Sequence, residues 1–246
     1  MRRQSQRLPA GGRIDRSRPL GFRFDGRRYE GYAGDTLASA LLANGVSIVG
    51  RSFKLRRPRG IVGSGAEEPN AIMQIGKGAH TQPNLRATQV ELYEGLVAKT
   101  TKGWPGARFD LGAINDVFSK VFSAGFYYKT FMRPKSLWHL YERFIRASAG
   151  FGRAPAKEDP DRYEHRNAHC DVLIAGGGPA GLAAALAAGQ SGARVILADD
   201  QSEFGGSLLS TKQRVGKATA DEWVRQTVEA LAALDNVTLL PRSTVF

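Results

Sequence analysis

Cysteine is nearly missing from this chain: Cys170 is the one thiol in 246 residues, and residues 1–169 contain none. A lone thiol excludes a disulfide framework and suits a reducing compartment, so a cytoplasmic location is expected. Histidine is sparse as well, with four residues. His165, His169 and Cys170 lie close together in sequence but are one ligand short of a closed metal site, and no metal is expected there. His80 and His139 stand alone. No long apolar run crosses a membrane on this reading. Val172 to Gly189 is free of charge, but it contains Gly176-Gly177-Gly178-Pro179, the pattern of a strand, a tight turn and a helix. Behind Met1-Arg2-Arg3 no apolar stretch follows, and no targeting segment is read. Also absent are a Gly-x-Ser-x-Gly nucleophile motif and a phosphate loop ending in Gly-Lys-Ser or Gly-Lys-Thr, so no catalytic residue is identified.

What is abundant is positive charge, and it is localised. The formal charge is +12. Residues 1–60 hold 14 Lys and Arg against 4 Asp and Glu, whereas the other 186 residues hold 21 against 19. The basicity therefore belongs to the N-terminal region, which is a solvated basic face or meets something acidic.

Alternation of Leu20, Phe22 and Phe24 with Gly21, Arg23 and Asp25 predicts a strand with one buried face, turning at Asp25-Gly26 into a return strand Arg27 to Tyr32. Asp35 is expected to cap a helix from Thr36 to Asn44, ended by Gly45. Ala71 to Ile75 reads as a strand, and Val90 to Thr100 as a hairpin turning at Glu94-Gly95. After a basic lead, 1–19, these elements predict a small α+β domain over 20–100. Residues 101–168 read as a connector, with Trp138, Tyr141 and Phe144 at helical spacing, a stripe expected to pack between domains.

From 169 to 246 strand and helix alternate: a strand Asp171 to Ala175, a helix Ala180 to Ser191, a strand Arg194 to Asp199, a helix Ala220 to Leu234, a strand Val237 to Leu240. That order predicts a parallel sheet of Rossmann type. Gly176-Gly177-Gly178-Pro179-Ala180-Gly181 places glycines at the strand exit, at the point of closest approach to a pyrophosphate, and at the helix–strand contact. The phosphates would meet the positive end of the helix dipole. Asp199, with Asp200 beside it, ends the next strand where an acidic residue accepts hydrogen bonds from the adenine-side ribose. An acid there disfavours NADP but does not separate NAD from FAD. Three strands are fewer than a complete dinucleotide-binding sheet needs, so this domain is expected to be incomplete, the chain to be the front of a longer polypeptide, and the chain alone to have no oxidase activity.

Several blocks carry a family resemblance: Arg7-Leu8-Pro9-Ala10-Gly11-Gly12-Arg13-Ile14-Asp15, the run Gly34 to Gly45, Arg57-Pro58-Arg59-Gly60-Ile61, Glu67-Glu68-Pro69-Asn70, Ala124 to Phe131, and His169 through Gly181. With these the chain resembles the N-terminal part of the alpha subunit of heterotetrameric sarcosine oxidases. The resemblance implies a ferredoxin-like (β-grasp) first domain followed by an NAD-binding domain. Related amine and amino-acid dehydrogenases carry cysteines in the first domain. Here Gly63 to Asn70 has none and Thr88 stands at a later cysteine position, so the scaffold is expected without an iron–sulfur cluster. Leu55-Arg56 departs from the Tyr-His of similar sequences.

The resemblance further implies beta, gamma and delta partner subunits, with FAD and FMN on or shared with the beta subunit. The implied reaction is oxidative demethylation of sarcosine to glycine, coupled to tetrahydrofolate. Nucleic acid and membrane are not expected partners. The alternatives are a subunit of another flavin-linked amine or opine dehydrogenase, or a docking module recruited through the basic N-terminus, which steep salt dependence of nucleic-acid binding would reveal.

Overall fold

The computed structural model describes residues 4–116 and 133–246, so the resembling block Ala124 to Phe131 lies outside the described residues. The chain divides into two compact units, Met1–Asp161 and Arg162–Phe246.

In the first unit, β1 (Asp15–Phe24) and β2 (Arg27–Ala33) form the expected hairpin, although β1 starts five residues earlier than its alternation suggests, with a register shift between Asp15 and Pro19. The helix α1 (Leu37–Ala43) packs Leu37, Ala40 and Leu41 into a core with Phe22, Phe24, Met73, Ile75 and Leu96. Two short strands follow, β3 (Gly50–Arg51) and β4 (Pro58–Arg59), paired antiparallel. Then come β5 (Ile72–Ile75), β6 (Gln82–Arg86) and β7 (Val97–Thr100). The main sheet has the order β2-β1-β7-β5-β6.

Two expectations are corrected here. Val90 to Thr100 is no hairpin: β7 pairs parallel with β1 and antiparallel with β5, so its partners are distant in sequence, and β6, which had not been expected, supplies the hairpin with β5. Asp35 is not the helix cap. Thr36 caps α1 in a reciprocal box with Ser39, and the buried Asp35 carboxylate accepts instead from the Tyr32 N–H (2.9 Å), the Ser39 hydroxyl (2.6 Å) and the Arg7 guanidinium (2.6 and 3.1 Å). Arg7 also lies over the Tyr32 ring, 5.1 Å from its centroid, so the basic lead is tied to the start of the helix.

The connector contains α2 (Trp138–Ala149), ended by Gly150. Trp138 is 48% exposed and the Tyr141 hydroxyl donates to the Arg133 carbonyl at 3.2 Å, while the side chain of Phe144 falls outside the described residues. Beyond Gly150 the chain crosses the outer side of the β5–β6 hairpin, where Gly152 N–H donates to Asn84 Oδ1 (2.8 Å) and Arg153 N–H to Gln74 Oε1 (3.1 Å).

In the second unit the parallel sheet has the order β12-β9-β8, formed by β8 (Val172–Ala175), β9 (Val195–Ala198) and β12 (Val237–Leu240). The helices α3 (Pro179–Gln190) and α4 (Ala220–Ala232) bury Leu182, Ala185, Val224 and Leu231 with Val195 and Leu197. A small ribbon, β10 (Arg214–Val215) with β11 (Ala218–Thr219), precedes α4. Asp171 staples the entries of two strands, accepting from the Arg194 N–H, Nε and Nη2, which lower its pKa to about 2. Among the described residues no helix is long and apolar enough to cross a membrane.

Two neighbouring carboxylates organise the loop 62–71 of the first unit, Glu67 accepting from the N–H groups of Ser64 (2.7 Å) and Gly65 (2.9 Å). Glu68 is 1% exposed, and its carboxylate accepts from the N–H groups of Val62 (2.7 Å), Gly63 (2.5 Å), Asn70 (2.8 Å) and Ala71 (3.1 Å). Burial opposes its charge, but the four N–H donors outweigh burial and hold its pKa below the usual carboxylate range. A depressed folded pKa means that the stabilisation is present above the unfolded value of about 4.3 and is lost as pH falls through the folded pKa. Glu68→Gln turns an amide donor onto two of these N–H groups and is expected to cost about 2–3 kcal/mol at neutral pH. In urea titrations of the full-length protein, that gap should narrow below about pH 4. A gap independent of pH would contradict the charged role of Glu68.

Candidate dinucleotide site

β8 ends at Ala175, and the chain turns sharply at Gly176, whose φ of +101° is a conformation L side chains rarely adopt. Gly178 is then the N-cap of α3, and Pro179 opens the helix, where its missing N–H costs nothing. Gly181 packs so tightly that an added Cβ would collide with the Gly176 carbonyl oxygen. At Gly178 an added Cβ would meet nothing within 4 Å. The first glycine therefore makes the turn and the last seats the helix, while the middle one faces open space.

The two helices of this unit differ at their N-termini. Thr219 and Glu222 cap α4 reciprocally, and Asp221 and Glu222 place negative charge in its first turn. α3 has no side-chain cap and no acid in its first turn. Its N–H groups at Gly178, Ala180 and Gly181 belong to the turn that a helix cannot satisfy internally, and the positive end of its dipole has no compensating charge from that turn. Such an end suits a diphosphate.

Asp199 follows β9 directly and is 8% exposed. Its Oδ2 accepts from the Gly177 N–H and its Oδ1 from the Gln201 N–H (2.8 Å), so the carboxylate ties the glycine loop to the end of the neighbouring strand. Two of roughly four acceptor positions are used, which leaves capacity for a hydroxyl donor. Asp200 is exposed and accepts from Gln201 Nε2 (2.9 Å). The structure thus brings Gly176 to Gly181 together with Asp199, and sets Asp200 outside that contact.

The sequence reading missed a second lip to this loop. Gly205 N–H donates to the Gly177 carbonyl (2.8 Å), the Phe204 ring lies where a side chain at 177 would be, and a Cβ at Gly206 would approach Gly178 Cα at 3.0 Å. The available signal was Phe204-Gly205-Gly206, a glycine pair shortly after the acidic strand end. His165 and His169 are exposed and Cys170 is partly buried. Among the described residues, ligand-type side chains converge elsewhere, at His80, Asp159 and Asp161, all exposed, with His80 Nδ1 3.6 Å from Asp161 Oδ2.

Comparison with known proteins places these units. Residues 17–103 match the family model described as a 2Fe-2S iron-sulfur cluster binding domain, and residues 171–233 match that of an FAD dependent oxidoreductase. The first match corrects the expectation of a scaffold without an iron–sulfur cluster, because the domain type matched is one that binds it. Residues 17–103 contain no cysteine to supply thiolates, and Glu67 and Glu68 already take the loop N–H groups, so no step below is routed through iron. Thr88 meets that loop, its hydroxyl donating to the Gly65 carbonyl at 2.7 Å.

A solved L-proline dehydrogenase from P. horikoshii is similar in fold, with a TM-score of 0.50 and 19% identity over 98% of this chain and 36% of that one. One subunit of the opine oxidase of Agrobacterium tumefaciens is 37% identical over 81 residues, 31% of this chain and 16% of that protein. The alpha subunit of sarcosine oxidase from Rhizobium meliloti is 56% identical over 98% of this chain, and that from a Corynebacterium species is 36% identical over 99%. The chain spans 25% and 21% of the length of those two relatives. Along nearly its whole length, the chain matches the N-terminal part of sarcosine oxidase alpha subunits.

Proposed function

We propose that this chain serves a flavin-linked amine-oxidising complex as its dinucleotide-binding and scaffolding part, with sarcosine as the amine. The supporting identity, 56% over 98% of the chain, outweighs the opine oxidase match at 37% over 81 residues. In this reading the second unit is a Rossmann-type domain holding NAD. The observation that carries it is the uncapped start of α3 at Gly178, open to a ligand and joined to the acidic end of β9 through Asp199. The N–H groups at the helix start bind the pyrophosphate, and Asp199, with Asp200 at the rim, accepts from ribose hydroxyls.

The chain's own contribution to the chemistry is to bind and orient. It offers a fixed set of backbone donors, and the Phe204-Gly205-Gly206 lip closes one side of the loop. When bound, the nicotinamide or flavin supplies hydride transfer. Amine oxidation, the flavins of a beta subunit, the gamma and delta subunits and transfer of carbon to tetrahydrofolate lie beyond these residues in this proposal. A second reading, FAD at the same loop, is favoured by the FAD dependent oxidoreductase match over 171–233, since both cofactors present the same ADP half.

Three measurements on the full-length protein test these assignments. Gly178→Val should cost at most about 1 kcal/mol of stability, a loss of N-cap preference, because a Cβ there meets nothing within 4 Å, while dinucleotide affinity falls about tenfold or more. Gly181→Ala should instead destabilise the fold, by about 1–3 kcal/mol, because its methyl group has no room. Unchanged cofactor retention after gel filtration in Gly178→Val would remove the loop from the binding site. Acid release of the cofactor followed by chromatography should yield NAD from this site, and FAD at one equivalent from a Gly178-dependent site would decide for the second reading.

A further inference from the structure

The N-terminal charge surplus acquires a geometry in the first unit. Arg23 of β1 and Arg28 of β2 are direct cross-strand partners, so their side chains leave the same face of the sheet. β7 lies on the other side of β1 with Val97 opposite Arg23, which puts Lys99, two residues on, on that face as well. All three cations are exposed. Among the described residues none of them forms an ion pair.

The nearest carboxylates are committed or insufficient. Glu94 accepts from the Gly21 N–H at 2.6 Å, and Asp25 accepts from the N–H groups of Thr100 and Ala107, both at 2.9 Å, so that it compensates Lys99 only through a longer-range Coulombic attraction. Glu30 pairs across from Gly21, and Asp15, the other acid of that strand pair, lies at its far end and accepts from the Ser17 N–H and hydroxyl. Like charges directly opposite in an antiparallel pair destabilise the sheet. Elsewhere on the same side the chain covers itself, since Gly152 and Arg153 bond to Asn84 and Gln74 over β5 and β6.

We infer that the outer face of β2-β1-β7, on which Arg23, Arg28 and Lys99 are exposed among the described residues, docks a carboxylate-bearing surface of a partner polypeptide through those three cations. The inference rests on the proposed role within a multi-subunit complex. Charge complementarity selects an acidic occupant: three cations on adjacent strands about 4.8 Å apart form a short row that two or three carboxylates can match. A polypeptide fits better than a nucleic acid because Glu30 flanks the row, two residues from Arg28 on the same face and on the side away from Lys99. A protein surface can set an uncharged residue against Glu30, whereas a duplex carries a charge every ~1.7 Å.

The test uses the full-length chain co-expressed with the other polypeptides of its complex and followed by sedimentation velocity over a range of NaCl concentrations. The triple variant R23E/R28E/K99E should lose one of its partner subunits in salt that leaves the wild-type complex intact, with the dissociation constant raised about tenfold or more. The single variant R23E, which turns a repulsive cross-strand pair into an attractive one, should melt at or above the wild-type temperature while also weakening assembly. That opposite movement distinguishes docking from a folding defect. A triple variant that sediments as the intact complex at every salt concentration would overturn the inference and leave the proposed function standing. A wild-type chain that sediments alone would overturn both. If the triple variant instead loses binding to a duplex DNA probe and keeps its partner subunits, the face is a nucleic-acid surface and the inference is wrong.

Discussion

A buried carboxylate has to be satisfied where it stands, and in this chain that requirement fixes the loops on which everything else is mounted. Glu68 gathers four N–H groups from a loop that has no helix or strand of its own to order it. Asp35 joins the basic lead to α1, and Asp25 pulls the segment at Ala107 onto the end of β7 at Thr100. Asp199 does the corresponding work in the second unit, tying the glycine loop to the neighbouring strand.

The same constraint explains which parts of the fold could be read from residues in order. Periodicity reports which face of an element is buried, and the hairpin at Asp25-Gly26, α1 and every element from Val172 to Leu240 that the alternation marks follow it closely. Periodicity does not report who the neighbour is. Leu96, Ala98 and Thr100 alternate as a strand should, but the partners of β7 are β1 and β5, far off along the chain, and a glycine at 95 invited a local hairpin instead. β6 was invisible for a related reason: Gln82-Pro83-Asn84-Leu85-Arg86 has the composition of a loop, and only the adjacent β5 makes it a strand.

Acids near helix starts show where residue type alone is ambiguous. Asp35 and Thr36 are both good N-caps, and sequence offers no means of choosing between them. The structure chooses Thr36 because Arg7, 28 residues earlier, claims the Asp35 carboxylate for a buried ion pair. At Asp199 the position at a strand end was legible, but its engagement with Gly177 was not, since that contact depends on how far the loop swings back over the sheet.

Under the proposed role of α3, the second unit resolves a conflict that a phosphate-binding helix start faces. Leaving N–H groups free for a ligand costs stability in the unliganded protein, and α4 shows the alternative, with its capping box and two acids in the first turn. α3 forgoes both, and the compensation is placed around the loop rather than on it. Asp199 fixes Gly177 from below, Gly205 fixes its carbonyl from the lip, and Gly181 locks the helix against Gly176. These contacts hold the backbone in place without using the donors at the helix start, so the proposed site is preorganised in the unliganded chain. For a dinucleotide bound there as proposed, the ordering cost is small, and affinity would depend on the ligand's ability to reach the backbone at Gly178.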